Sequence, residues 1–133
     1  MMITQEKIDM ELTKFFKSII DEDRSAIVIC NLNHQIIYMN NAACEKYHKR
    51  GGSLLLGKNL FDCHNSNSKE MIIKIIDWFK LKTSNNRIYI SHNAKENKDV
   101  YMIALRDEQG ELIGYYEKHE YRNCETETFY NFK

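Results

Sequence analysis

The last third of the chain, residues 86–122, alternates apolar and polar residues in a pattern that predicts three consecutive antiparallel strands. Two runs rich in Ile, Val, Tyr and Leu flank a short polar loop at residues 107–110, which ends in Gly110 and is typical of a hairpin. A run at residues 87–91 extends the hairpin to a meander. A second hairpin is predicted near the start, with strands over residues 25–30 and 35–39 and a turn at 31–34.

Residues 4–22 carry the pattern of an amphipathic helix, with Thr4 as its expected N-cap. Its apolar residues Ile8, Leu12, Phe15 and Ile19 are spaced by 4, 3 and 4 positions, as in a heptad seam. This stripe either folds back on the sheet or pairs with the same helix of a second chain. The spacing favours the second interpretation, so we expect a homodimer with these four residues in its interface.

Two further helices are expected between the hairpins. Asn40 is placed to cap a short helix that runs through Tyr47. Residues 65–68 precede a long helix, and Asn67 with Glu70 has the spacing of a capping box. The apolar residues of the long helix are predicted to share one buried face: Met71, Ile72, Ile75, Ile76 and Phe79.

This order of elements predicts an α+β fold, in which a five-stranded antiparallel sheet carries helices on one face and is preceded by an N-terminal amphipathic helix. The expected division is an N-terminal helix at residues 1–22, one domain at 23–122 and a polar tail at 123–133. A chain of 133 residues with 43% hydrophobic residues is long enough for one such core.

Composition narrows the possible partners and the expected compartment. Lys and Arg together number 19, as do Asp and Glu, which argues against broad binding to nucleic acid or to anionic membranes. No apolar run approaches the ~20 residues of a membrane span. The four cysteines form no Cys-x-x-Cys pair, so zinc-knuckle and thioredoxin motifs are not indicated. Free thiols favour a reducing cytoplasm.

Three segments resemble a PAS sensory domain. Residues 26–42 are similar to its usual opening of two strands, a polar turn and an Asn that starts the next helix, with His34 where the family commonly has Gly. Residues 57–64 and 104–114 resemble a bacterial subgroup that carries Cys-His before the long helix. That subgroup continues with prolines, where this chain has Asn65 and Ser66.

The resemblance implies a stand-alone sensory or regulatory domain that acts in trans on an unidentified protein partner and commonly dimerises through its N-terminal helix. It also implies a small-molecule pocket between sheet and helices. The residues expected to line this pocket are Ile72, Ile76, Ile88, Ile90, Met102 and Ala104, with Tyr38 and His64 as polar contacts.

Three other functions remain open at this stage. His64 is a candidate axial ligand for haem, because imidazole suits iron, and the protein would then sense a gas or redox change. A core filled by side chains would instead make a protein-interaction module. Cys63 beside His64 is a candidate nucleophile for a small enzyme, although adjacent residues rarely face each other. His34 is expected to be solvated in its turn, and no pair of histidines has the spacing of a helical metal site.

Overall fold

The computed structural model describes residues 2–63, with Cys63 by its backbone alone, and residues 65–132. Three short 3₁₀ turns, at His48–Arg50, Gly52–Leu55 and Leu60–Cys63, connect the second and third helices. The helices and strands are α1 (Gln5–Glu22), β1 (Val28–Asn31), β2 (Ile36–Met39), α2 (Asn41–Lys46), α3 (Ser66–Leu81), β3 (Arg87–Asn93), β4 (Lys98–Arg106) and β5 (Leu112–Tyr121). None of the helices described is both long and apolar enough to cross a membrane.

The five strands form one antiparallel sheet in the order β2-β1-β5-β4-β3, which confirms the predicted α+β fold. The two hairpins join where β1 pairs with β5, with Cys30 opposite Tyr115. The predicted loop between β4 and β5 is held by Asp107, whose carboxylate accepts the amides of Gln109 and Glu111 at 2.9 and 3.0 Å. Gly110 takes the left-handed conformation there, with φ of 80°.

Gly114 makes the junction between the hairpins possible. A Cβ at this position would lie 2.3 Å from the carbonyl oxygen of Cys30 on β1. Since that neighbour is backbone within a paired strand, it has no freedom to withdraw. The close approach of β1 and β5 therefore depends on the missing side chain.

The N-caps of α1 and α2 are the predicted ones. The Thr4 hydroxyl accepts the amide of Lys7 at 3.2 Å, and the Asn40 side chain accepts the amide of Ala43 at 2.9 Å. Asn40 is fully buried, and its amide group also donates to the carbonyl of Ile20 in α1 at 2.9 Å. It thus connects α1 to the sheet domain as well as capping α2.

The start of α3 differs from the capping-box prediction. Asn65 is the N-cap, and its side-chain oxygen accepts the amide of Ser68 at 2.9 Å. Because Ser66 opens the helix, Asn67 lies inside the first turn and cannot cap it with Glu70, so that prediction is wrong.

The buried face of α3 is formed by four of the five predicted residues, Ile72, Ile75, Ile76 and Phe79. Met71 was expected on this face but is 39% exposed, since it lies at the edge of the stripe.

Arg106, at the end of β4, anchors the C-terminal end of α3 on the sheet. Its guanidinium donates to the carbonyls of Phe79 at 2.6 Å and Lys82 at 3.1 Å. Carbonyls at the C-terminal end of a helix have no backbone amide within the helix to pair with, so Arg106 supplies the missing donors. The same group bonds Asn86 at 2.6 Å and the Gly110 carbonyl at 3.0 Å. One side chain therefore joins the helix end, the strand and the hairpin loop.

Candidate functional site

A cavity of about 110 Å³ lies between the inward face of the sheet and the helical layer of α2, the 3₁₀ turns and α3. Its middle is apolar, whereas its two ends carry polar groups. The residues that line it are Ala26, Val28, Cys30, Ile36, Met39, Tyr47, Arg50, Leu55, Leu60, Ile72, Met102, Tyr115, Tyr116, Glu117 and His119.

At one end of the cavity the lining residues are Cys30 and Tyr115, and His34 lies behind Tyr115. A 2.8 Å hydrogen bond joins the Tyr115 hydroxyl to Nδ1 of His34, and the Tyr115 hydroxyl also contacts the Cys30 thiol. Burial raises the pKa of Cys30 to about 11 and also raises the pKa of Tyr115. Both groups are therefore neutral at physiological pH.

His34 is half-buried, so the expectation that it is solvated is wrong. Its ring stacks on Phe61 with centroids 4.1 Å apart, and burial lowers its pKa. The residue has φ of 63°, a left-handed conformation that is uncommon outside glycine. The stacking and the bond to Tyr115 hold it there, in the turn between β1 and β2.

The opposite end of the cavity is charged, and its most buried member is Lys98. This side chain lies on the inward face of β4 and is only 4% exposed. Its ammonium group is 2.7 Å from the carboxylate of Glu96 and 3.3 Å from Nδ1 of His119. Nε2 of His119 faces Glu117 at 3.5 Å. Burial opposes the charge on Lys98, but the pair with Glu96 and the other neighbouring groups together raise its pKa.

Tyr47, at the end of α2, stands among these charges. Burial and the negative charge of Glu117 raise the pKa of its hydroxyl, and the positive charges of Lys98 and Arg50 oppose that shift. Lys46 approaches Lys98 from α2, and its pKa is lowered by burial and by that neighbouring ammonium group. The charged end of the cavity comprises the lining residues Tyr47, Arg50, Glu117 and His119 together with their neighbours Lys46, Glu96 and Lys98, which are not part of the lining.

The predicted pocket residues fall into three places. Ile72 and Met102 line the cavity, while Ile76 and Ala104 belong to the buried core beside it. Ile88 and Ile90 lie on β3 at the edge of the sheet, where they face an open groove along α3 with Ile75 and Trp78.

The two predicted polar contacts are not part of the described lining. Tyr38 donates its hydroxyl hydrogen to Asp21, so it connects β2 to the last turn of α1. His64 lies outside the described residues, as does the side chain of Cys63, so the hypotheses of a haem ligand and of a nucleophile stay predictions.

The sequence analysis did not predict the polar residues that line the cavity, although the alternation of inward and outward positions along the strands indicates several of them. Met102 was expected to face inward, and Lys98 has the same parity on β4. On β5, Tyr115, Glu117 and His119 alternate in the same way opposite inward residues. Charged residues at the inward positions of a strand are uncommon and indicate a functional site or a buried network.

Comparisons with known proteins agree with this fold. The chain is similar to a C-terminal domain from Streptococcus mutans, with 21% identity, a TM-score of 0.60 and coverage of 81% of this chain and 83% of that one. A PAS domain from Colwellia psychrerythraea has 14% identity and a TM-score of 0.60 over 84% of this chain and 97% of its own. The PAS domain of BvgS from Bordetella pertussis has 14% identity and a TM-score of 0.55, over 86% and 88%.

At these identities the likeness concerns the fold alone, and no protein of curated function matches significantly. The sequence itself carries the family signature, because the model of the PAS domain matches residues 24–117, well over half of the chain. The protein therefore belongs to the PAS domain family.

Proposed function

We propose that this protein is a sensory PAS module that binds a small molecule in its cavity and signals through α1 to a second copy of the chain and then to a protein partner in trans. PAS domains are sensory modules in many signalling proteins, which fits a binding role without catalysis. The observation that carries the proposal is the cavity, which has an apolar middle, polar ends and a wall that continues into the residues holding α1.

The size of the cavity favours a compact ligand. Its volume of about 110 Å³ is somewhat below the roughly 150 Å³ that holds one benzene molecule in an engineered apolar cavity. Sites for larger organic ligands measure roughly 300–1,000 Å³. A haem-sized group is therefore less favoured than a molecule whose apolar part is no larger than benzene.

Asn40 provides a path from the cavity to α1. It directly follows Met39, which lines the cavity, and its side-chain oxygen accepts the amide of Ile27, the neighbour of the lining residue Ala26. Its amide group donates to the carbonyl of Ile20 in α1. A ligand that shifts the β1 and β2 wall would thus change the geometry at the end of α1, provided that it binds the two arrangements with different affinity.

The apolar stripe of α1 supports a second copy as its partner. No residue of α1 is buried, and Phe15 and Ile19 are 63% and 68% exposed. Ile8 and Leu12 continue the stripe at the predicted 4-3-4 spacing. A helix of 18 residues gains most of its stability by packing one face, and a heptad seam packs well against an identical seam.

Benzene tests the cavity directly. We expect a saturable shift of the methyl resonances of Ile72 and Met102 on benzene titration, followed by methyl NMR. Ala26→Leu adds three carbons to the lining and should abolish the shift, because it fills space that benzene needs. Unchanged resonances, or equal binding by Ala26→Leu, would favour the filled-core interaction module instead.

The dimer is tested by two matched substitutions on α1. Ile19→Glu lies on the stripe, and Met10→Glu makes the same change in charge on the opposite side of the helix, where Met10 is 70% exposed. We expect a dimer mass for the parent chain and for Met10→Glu, and a monomer mass for Ile19→Glu, in light scattering at equal concentration. A monomeric parent, or equal masses for the two variants, would refute this interface.

A further inference from the structure

We propose that the ligand of this cavity is a short-chain monocarboxylate whose carboxylate meets Arg50 and whose alkyl group enters the apolar middle. This inference rests on the proposed function, because it names the chemical class of the molecule that the same cavity binds.

The charged end of the cavity has an excess of positive charge. Within the described residues it contains three cationic side chains, Lys46, Arg50 and Lys98, and two carboxylates, those of Glu96 and Glu117. His119 adds no charge in this arrangement, since its Nδ1 faces the ammonium group of Lys98 and must present a lone pair. One further negative charge would balance the set.

The two carboxylates are already engaged. Glu96 lies 2.7 Å from the ammonium group of Lys98, and Glu117 faces His119 at 3.5 Å. Among the ion pairs between described residues, none includes Arg50. Arg50 is exposed to solvent and also lines the cavity, and its planar guanidinium matches the geometry of a carboxylate better than that of any neutral group.

Lys46 gives a second reason to expect an anion. It is exposed to solvent but approaches the buried Lys98, and both burial and Lys98 lower the pKa of Lys46. Like charges that approach each other repel, even at the surface of a protein. A carboxylate bound at Arg50 would offset part of this positive charge, whereas a cationic or neutral ligand would leave it in place.

The apolar middle sets the length of the ligand. Val28, Ile36, Leu55, Ile72 and Met102 form its wall and offer no charged group to a second carboxylate. The volume of about 110 Å³ is below that of the roughly 150 Å³ benzene-binding cavity, which leaves room for an alkyl chain of about four or five carbons. A monocarboxylate of this length matches both the charge and the volume.

Sodium pentanoate and pentanamide have nearly the same shape, but only pentanoate carries a negative charge. Comparing their affinities therefore measures the contribution of the carboxylate charge to binding. Both are titrated at pH 7 into the full chain, with the methyl resonances of Ile72 and Met102 as the readout. We expect pentanoate to bind about tenfold more tightly than pentanamide, as one charge-assisted contact of about 1.4 kcal/mol implies. Arg50→Gln should lower the affinity for pentanoate about tenfold and leave that for pentanamide unchanged.

Lys49→Gln is the control, because it makes the same change in charge in the same 3₁₀ turn but is not among the described residues that line the cavity. Equal affinities for pentanoate and pentanamide, or equal effects of Arg50→Gln and Lys49→Gln, would overturn the inference. If benzene binds and pentanoate does not, the carboxylate is refuted and the small-ligand function stands. If all three probes fail, the proposed function falls and the inference falls with it.

Discussion

Replacing Asn40 by alanine should be among the most damaging single changes that keep the fold. Asn40 is fully buried, and its side-chain oxygen accepts the amides of Ile27 and Ala43, both at 2.9 Å. Its amide group donates to the carbonyls of Ile20 and Ser25, also at 2.9 Å. These four hydrogen bonds, with a longer fifth one of 3.4 Å to the carbonyl of Asp23, join α1, the approach to β1 and the start of α2 through one side chain.

The expected loss is about 3 kcal/mol. The missing N-cap of α2 accounts for about 1 kcal/mol. The Ile27 amide, left half-buried without its acceptor, adds about 1 kcal/mol, and the two carbonyls without their donor add about 1 kcal/mol together. A domain of this size has a stability of roughly 5–15 kcal/mol, so Asn40→Ala should stay folded.

Urea unfolding followed by circular dichroism measures this loss. With an m-value of about 2 kcal/mol/M, the midpoint should fall by about 1.5 M in Asn40→Ala. Asn41→Ala is the control, because Asn41 is the exposed neighbour in the first turn of α2. Hydrogen exchange at residues 20–23 should also quicken, since α1 loses its bond to Asn40. A loss below about 1 kcal/mol, or one equal to that of Asn41→Ala, would refute the reasoning.

Three further predictions test other parts of the structure. Iodoacetamide at pH 8 should label the exposed Cys124 of the native protein and spare Cys30, whose burial raises its pKa to about 11; prompt labelling of Cys30 would show an open cavity. Arg122 lies 2.7 Å from Asp99 and lowers the pKa of that carboxyl, so the contribution of this group to stability is complete above about pH 4 and is lost as pH falls towards the folded pKa. The stability difference between the parent and Asp99→Asn should accordingly shrink from pH 6 to pH 2.5 in urea titrations, and a difference independent of pH would contradict the assignment. Gly114→Ala should unfold or strongly destabilise the chain, because its Cβ meets the Cys30 carbonyl at 2.3 Å, and a melting temperature within a few degrees of the parent would show that β1 can yield.

The location of the cavity residues shows how far sequence patterns reach into the site. Ile72 and Met102 line the cavity, because helix and strand periodicity places them on inward faces. Ile88 and Ile90 have the same periodicity, yet β3 is the edge strand of the sheet, so they face the groove beside α3. Tyr38 was selected as a polar contact, but its hydroxyl is taken by Asp21 of α1. Periodicity thus identified inward faces, but the sheet order determined what each face meets.

Local interactions were readable from the sequence by itself: the helix α1 with its Thr4 cap, the Asn40 cap of α2, and the hairpin that turns at Gly110. Each depends on residues within a few positions of one another, so short patterns contain all that is needed. The charged end of the cavity was decided by the tertiary structure. Lys98 and His119 are 21 residues apart and meet only because β4 and β5 pair in one register, and Lys46 joins them only because α2 packs over that end of the sheet. Contacts between distant segments depend on strand register and helix packing, which are properties of the whole fold.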